Sequence, residues 1–148
     1  MLNPDFRDML CALSAEAVDY LVVGAFALAA HGVPRATGDI DIWIRPTVEN
    51  AERVMRALQR FGAPTSDISA DDLAEPDVVY QIGLPPRRID LLTAIDGVGF
   101  DDAWGRRVPV QLDAELSVDV LSKEDFITNK KASGRPKDLA DIDQLESG

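Results

Sequence analysis

The stretch Tyr20-Leu-Val-Val-Gly-Ala-Phe-Ala-Leu-Ala-Ala-His-Gly-Val-Pro-Arg-Ala-Thr-Gly-Asp-Ile-Asp-Ile-Trp-Ile44 decides the fold. It opens as an apolar strand, breaks at Gly24, continues as a small-residue helix over Ala25–Ala30 and turns through Val33–Gly38 into an alternating strand. Side chains on a strand point to opposite faces in turn, so Asp39, Asp41 and Trp43 share one face while Ile40, Ile42 and Ile44 share the other. Two like charges about 4 Å apart repel by roughly 4 kcal/mol at an effective dielectric of 20. The pair therefore calls for a cation, a shared proton or good solvation, and a divalent metal is the simplest of these. Gly24 lets the chain turn into a helix whose free N–H groups form an anion site; a glycine needed for close helix-to-strand packing would look the same.

Length and composition frame that stretch. The 148 residues suggest a single domain, 1–148, large enough for one core. A hydrophobic fraction of 46% and a charged fraction of 28% fit a soluble globular chain. One cysteine, Cys11, forms no internal disulfide, and Met1-Leu-Asn-Pro-Asp5 lacks the basic and apolar parts of a signal peptide, so a cytoplasmic location is expected. The longest apolar run, Tyr20–Ala30, is too short for a membrane helix. A formal net charge of −11 argues against broad nucleic-acid binding, which draws its affinity from neutralised phosphates. Any such partner must meet a local patch: Lys130, Lys131, Arg135 and Lys137, with Arg35, Arg87-Arg88 and Arg106-Arg107.

Upstream, Phe6, Met9, Leu10, Leu13 and Ala17 predict an amphipathic helix over about Pro4–Ala17, followed by a strand at Asp19–Val23. Downstream, Thr47 caps a structural helix, Val48–Phe61, that Gly62 stops. Val48, Ala51, Met55, Leu58 and Phe61 are expected to face the core, with Glu49–Arg53 and Glu52–Arg56 as (i, i+4) pairs. Gly62–Pro76 reads as loop with one turn at Ala70–Leu73, then strands at Val78–Ile82 and Arg88–Leu92. In the second of these Ile89 and Leu91 face one way and Asp90 the other. A carboxylate so flanked must reach solvent, a basic partner such as Arg87 or Arg88, or a metal; beside Asp39 and Asp41 it would complete a three-carboxylate cluster. Phe100–Trp104 reads as a short helix, and Val108–Leu112 and Leu116–Val120 as edge strands. Two C-terminal helices fill about 122–147: Ser122-Lys-Glu-Asp125 opens one that Gly134 ends, and Pro136 starts another with Leu139, Ile142 and Leu145 on its apolar side. His31, the only histidine, reads as a packed or capping group.

These residues resemble the nucleotidyltransferase superfamily, the DNA polymerase beta-like group. Its signature is an apolar residue and Gly followed by Gly or Ser, then, after a short helix, a strand with Asp-apolar-Asp or Glu. Here it stands as Val23-Gly24-Ala25 and Asp39-Ile-Asp41. Small bacterial members, including abortive-infection-type toxins, are closest in pattern. Arg35-Ala-Thr37 precedes the acids as their Arg-x-Thr does, and Asn129-Lys-Lys-Ala-Ser-Gly-Arg-Pro-Lys-Asp-Leu-Ala-Asp141 is similar to their C-terminal motif. The likeness runs from about Tyr20 to Ile142. One departure is Ala25, where a hydroxyl able to hold phosphate is missing.

The resemblance implies an α/β nucleotidyltransferase-like fold, a mixed β-sheet flanked by helices, carrying metal-dependent transfer of a nucleoside monophosphate from an NTP to RNA, protein or a small-molecule hydroxyl. Asp39 and Asp41 would hold Mg²⁺ or Mn²⁺, and Gly24, Ala25 and Thr37 would cradle the nucleotide. Asp90 would bind a second metal or take the acceptor proton. Arg35, Lys130, Arg135 and Lys137 would offset phosphate charge, with Lys130 a surface residue whose loss barely touches folding. Partners on this reading are an acceptor, an antitoxin or a second copy of the chain, and no membrane. The alternative is a non-catalytic nucleotide-binding or partner-binding module of the same fold; a metal-dependent nuclease is a third, because carboxylate clusters serve both chemistries.

Overall fold

The computed structural model describes residues 3–33, 38–84 and 87–147, and of Leu84 the backbone only. In chain order the elements are α1 (Pro4–Ala15), β1 (Tyr20–Val23), α2 (Gly24–Ala30), β2 (Asp39–Ile44), α3 (Val48–Phe61), α4 (Ala70–Leu73), β3 (Val79–Leu84), β4 (Arg87–Leu92), α5 (Phe100–Gly105), β5 (Val108–Gln111), β6 (Ser117–Val120), α6 (Lys123–Ser133) and α7 (Pro136–Ser147). The strands form one six-stranded sheet in the order β3-β4-β2-β1-β6-β5. It is mixed: β1 runs antiparallel to β2 and parallel to β6, β2 runs parallel to β4, and the hairpins β3–β4 and β5–β6 are antiparallel.

Alternation puts Ile40, Ile42 and Ile44 of β2 in the core, at 1% exposure or less. On the opposite face Trp43 is also buried, against the Phe100 ring of α5 with centroids 5.0 Å apart. The hydrophobic face of β2 is thus closed along its length, and its acidic face is closed only at the Trp43 end.

Helix α3 carries the expected caps: Thr47 accepts from the Asn50 N–H, and Gly62 adopts φ +90°. Its buried stripe is Asn50, Ala51, Val54, Ala57 and Leu58, not the expected set. At about 100° per residue, Val48 and Met55 fall roughly 100–120° from the centre of that stripe, so Val48 is 55% exposed and Met55 half-buried. Arg56 pairs with Glu16 at the end of α1 at 3.2 Å, in place of the expected Glu52, and Arg60 joins it at 2.8 Å. Buried Asn50 ties three segments together: it accepts from the Asp19 N–H (2.8 Å) and donates to the carbonyls of Asp19 (3.1 Å) and Arg45 (3.0 Å).

Three further expectations are corrected. Strand β6 is not an edge, because it also pairs with β1, and Val118 and Val120 are buried; β5 alone forms that edge. Leu139 is exposed, whereas Ile142 and Leu145 are buried: steps of three drift by about 60° each, which carries the first residue off the packed face. Ser122 caps α6 by accepting from the Asp125 N–H at 3.1 Å, but the Asp125 carboxylate is taken by Arg106 and does not close the capping box. His31 is a packed group, with Nε2 2.7 Å from the Leu121 carbonyl oxygen.

Candidate active site

Pairing of β2 with β4 is what concentrates acid. Parallel pairing opposes Asp39 to Arg88 and Asp41 to Asp90, and residues paired in this way point to the same face of the sheet. Antiparallel pairing of β1 with β2 opposes Val23 to Asp41, so β1 ends beside the second acid. There the chain must turn at once into α2, and Gly24 does so with φ +66°. A Cβ at that position would lie 2.3 Å from Asp41 Oδ2. Glycine is required both by the backbone angle and by the carboxylate resting against it.

Over this corner lies a cavity of about 260 Å³. One wall is Gly24, Ala25, Asp39 and Asp41; the other is Lys130 of α6 and Arg135, Lys137 and Asp141 around the start of α7, with Leu28 and Phe126 between them. Seven residues expected from the sequence are therefore brought together: Gly24, Ala25, Asp39, Asp41, Lys130, Arg135 and Lys137. Arg35 and Thr37 lie outside the described residues. Asp90 is 7% exposed and is not among the lining residues. Of its three possible partners, solvent, base or metal, the structure shows a base: Arg88 Nε donates to Oδ1 at 2.8 Å and Nη2 to Oδ2 at 3.2 Å.

Burial, reinforced by the neighbouring Asp90 and then by Asp39, pushes the Asp41 carboxyl up to about 6, against a smaller opposing pull from Lys130. This is a site short of positive charge. Among the described residues no group of three or more His, Cys, Asp or Glu is gathered as a metal-ligand set. The donor chemistry nevertheless fits Mg²⁺ or Mn²⁺ on Asp39 and Asp41, because Mg²⁺ takes one or two carboxylates and leaves its remaining positions to water and substrate phosphate.

The basic wall is held by an acid that sequence reading passed over. Asp138 is 0% exposed and accepts from Arg135 Nε at 2.7 Å, with Lys130 Nζ at 3.5 Å. Lys130 is correspondingly no surface residue: its side chain is 14% exposed and lies 5.3 Å from the Phe126 ring centroid. Burial alone would raise the Asp138 carboxyl, but Arg135 and Lys130 together hold it below the usual carboxylate range. The one signal in the sequence was Asp138 three residues after Arg135, a spacing that brings side chains together on a helix.

A profile of the family described as "Nucleotidyltransferase of unknown function (DUF6036)" matches residues 8–146. The chain belongs to this nucleotidyltransferase family. Among solved structures, one from Thermotoga maritima, of a protein proposed to be a nucleotidyltransferase, is similar at a TM-score of 0.60 and 18% identity. The match covers 99% of this chain and 92% of that one and shows the shared fold. No curated protein matches. For this nucleotidyltransferase the cavity at Gly24, Asp39 and Asp41 is the candidate active site, and no helix among its described residues is long and apolar enough to cross a membrane.

Proposed function

We propose that the protein moves a nucleoside monophosphate from an NTP to a hydroxyl on RNA, a protein or a small molecule, with Mg²⁺ or Mn²⁺ held by Asp39 and Asp41. The observation that carries this reading is one cavity with two strand carboxylates against Gly24 on one wall and Lys130, Arg135 and Lys137 on the other. Such a cavity suits a triphosphate: cations on one side, and on the other carboxylates that need a cation. Bound there, the metal would supply charge neutralisation at the α-phosphate and at the leaving pyrophosphate. The protein's own part is positioning. Asp138 fixes Lys130 and Arg135 so that their charge faces the cavity at little cost in ordering, and Gly24 keeps the backbone low enough for phosphate to approach. The acceptor oxygen forms its bond to the α-phosphorus as the bond to the bridging oxygen breaks. Pyrophosphate leaves, and Asp90, next to Asp41 in register, takes the acceptor proton.

The pattern shared with abortive-infection-type proteins supports a toxin role with an antitoxin partner, in the cytoplasm where NTPs are available. A second reading, a binding module without turnover, is favoured by Ala25, which offers the nucleotide its backbone but no hydroxyl. Incubation with Mg²⁺, each NTP and cellular RNA or protein separates the two. Pyrophosphate release and a nucleotide-sized mass gain on the acceptor support transfer. Bound nucleotide with no pyrophosphate supports the module, and strand shortening would indicate a nuclease.

A further inference from the structure

We propose that Arg88 is the built-in counter-cation of the acidic strand pair, and that a divalent cation at Asp39 and Asp41 competes with it, so that metal loading and release of Arg88 from Asp90 are coupled. The proposal rests on the metal reading above and deepens it.

Arg88 and Asp90 stand two residues apart on β4 and share a face; across the parallel pairing they oppose Asp39 and Asp41. The guanidinium forks onto Asp90, at 2.8 and 3.2 Å, and the same Nη2 reaches Asp39 Oδ2 at 3.4 Å. One positive charge thus spans the third acid and one of the two expected metal ligands. Asp90 is too buried to stand without a cation, so Arg88 stabilises the cluster as it is seen here. A divalent ion on Asp39 and Asp41 would be placed beside that guanidinium, and like charges at such distances oppose each other through a poorly screened medium. The arrangement therefore lowers metal affinity. A side chain 26% exposed, in contact with the cavity-lining Asp39, also has somewhere to go: the planar fork that grips a carboxylate grips two phosphate oxygens equally well. Arrival of metal and triphosphate would transfer Arg88 from Asp90 to phosphate and leave Asp90 free to act as a base. Arg88 is on this account a positioning residue whose partner changes during loading.

The test is calorimetric titration of Mn²⁺ alone into the full chain and into Arg88→Gln and Arg88→Lys, each checked for folding by circular dichroism. Arg88→Gln should bind Mn²⁺ about tenfold or more tightly than the parent, although its metal-free form melts lower. Arg88→Lys, which keeps the charge and loses the fork, should bind a few-fold more tightly, and serves alone if the glutamine variant does not fold. A merely structural arginine would lower stability without tightening Mn²⁺ binding, so unchanged or weaker binding in the folded variants would overturn the proposal. Absence of Mn²⁺ binding by every protein would overturn the metal reading itself, and this inference with it.

Discussion

At the scale of single residues, Asp41 concentrates the site's energetics. Its carboxyl is pushed up to about 6 in the folded chain, above the 3.8 of an unperturbed group, so the folded state holds the proton more tightly. Stability from this group is therefore greatest at low pH and falls as pH rises from about 4 through about 6. At 1.36 kcal/mol per unit the penalty above pH 7 has a ceiling of about 3 kcal/mol, and partial exposure reduces it to roughly 1–2 kcal/mol. In chelator, Asp41→Asn should be more stable than the parent by that amount at pH 7.5, and the advantage should shrink towards pH 4.5. Chemical denaturation at the two pH values checks this; an equal difference at both would remove Asp41 as the strained group. Asp39 and Asp41 were legible in the sequence because alternation on one strand needs no tertiary information. The engagement of Asp90 by Arg88 was legible only as one of three outcomes, since the choice depends on how β4 registers against β2.

Elements account for most of what the sequence made plain. Helix α3 starts at Thr47 and stops at Gly62 because a hydroxyl cap and a left-handed glycine are local signals. Its inward stripe lies about a sixth of a turn from the one its spacing predicts, since the two share Ala51 and Leu58 and only the packing of α3 on α1 selects between them. Asn50 shows what local signals miss. A polar residue on a buried stripe reads as a flaw, yet here it satisfies the backbone at both Asp19 and Arg45. Asn50→Ala would leave the Asp19 N–H without its acceptor in a part-buried position and should cost about 2–3 kcal/mol. Denaturant midpoints should fall with unchanged slope; a loss below about 0.5 kcal/mol would mean that water replaces the amide.

Across the whole molecule, the candidate active-site cavity exists because the C-terminal pair α6–α7 is brought back over the β1–α2 corner, joining residues more than 100 positions apart. Composition could place a basic cluster at Lys130–Lys137 but not say that a buried Asp138 organises it. This changes the expectation for Lys130. Its loss leaves a fully buried carboxylate to Arg135 alone, whose side chain is 64% exposed, so Lys130→Ala should cost about 1–3 kcal/mol at pH 7 as well as weakening nucleotide binding. Because the Asp138 carboxyl is held low, that stabilisation is present above its unfolded value and disappears as pH falls through the folded one. The double variant Lys130→Ala/Asp138→Asn should recover part of the loss. Lys130→Ala melting like the parent at pH 7 would show that Arg135 suffices.

Transfer, as distinct from binding, requires the two acids of β2. Pyrophosphate release, followed with Mg²⁺, an NTP mixture and cellular RNA or protein as acceptor, tests this on three folded proteins: the parent, Asp39→Asn/Asp41→Asn and Asp90→Asn. The parent should release pyrophosphate in step with acceptor mass gain, and the double variant should release none. Asp90→Asn should bind nucleotide within a few-fold of normal and transfer about 10²–10⁴ more slowly, as expected when a general base is lost. Release by the double variant at the parent's rate would contradict the assignment of Asp39 and Asp41.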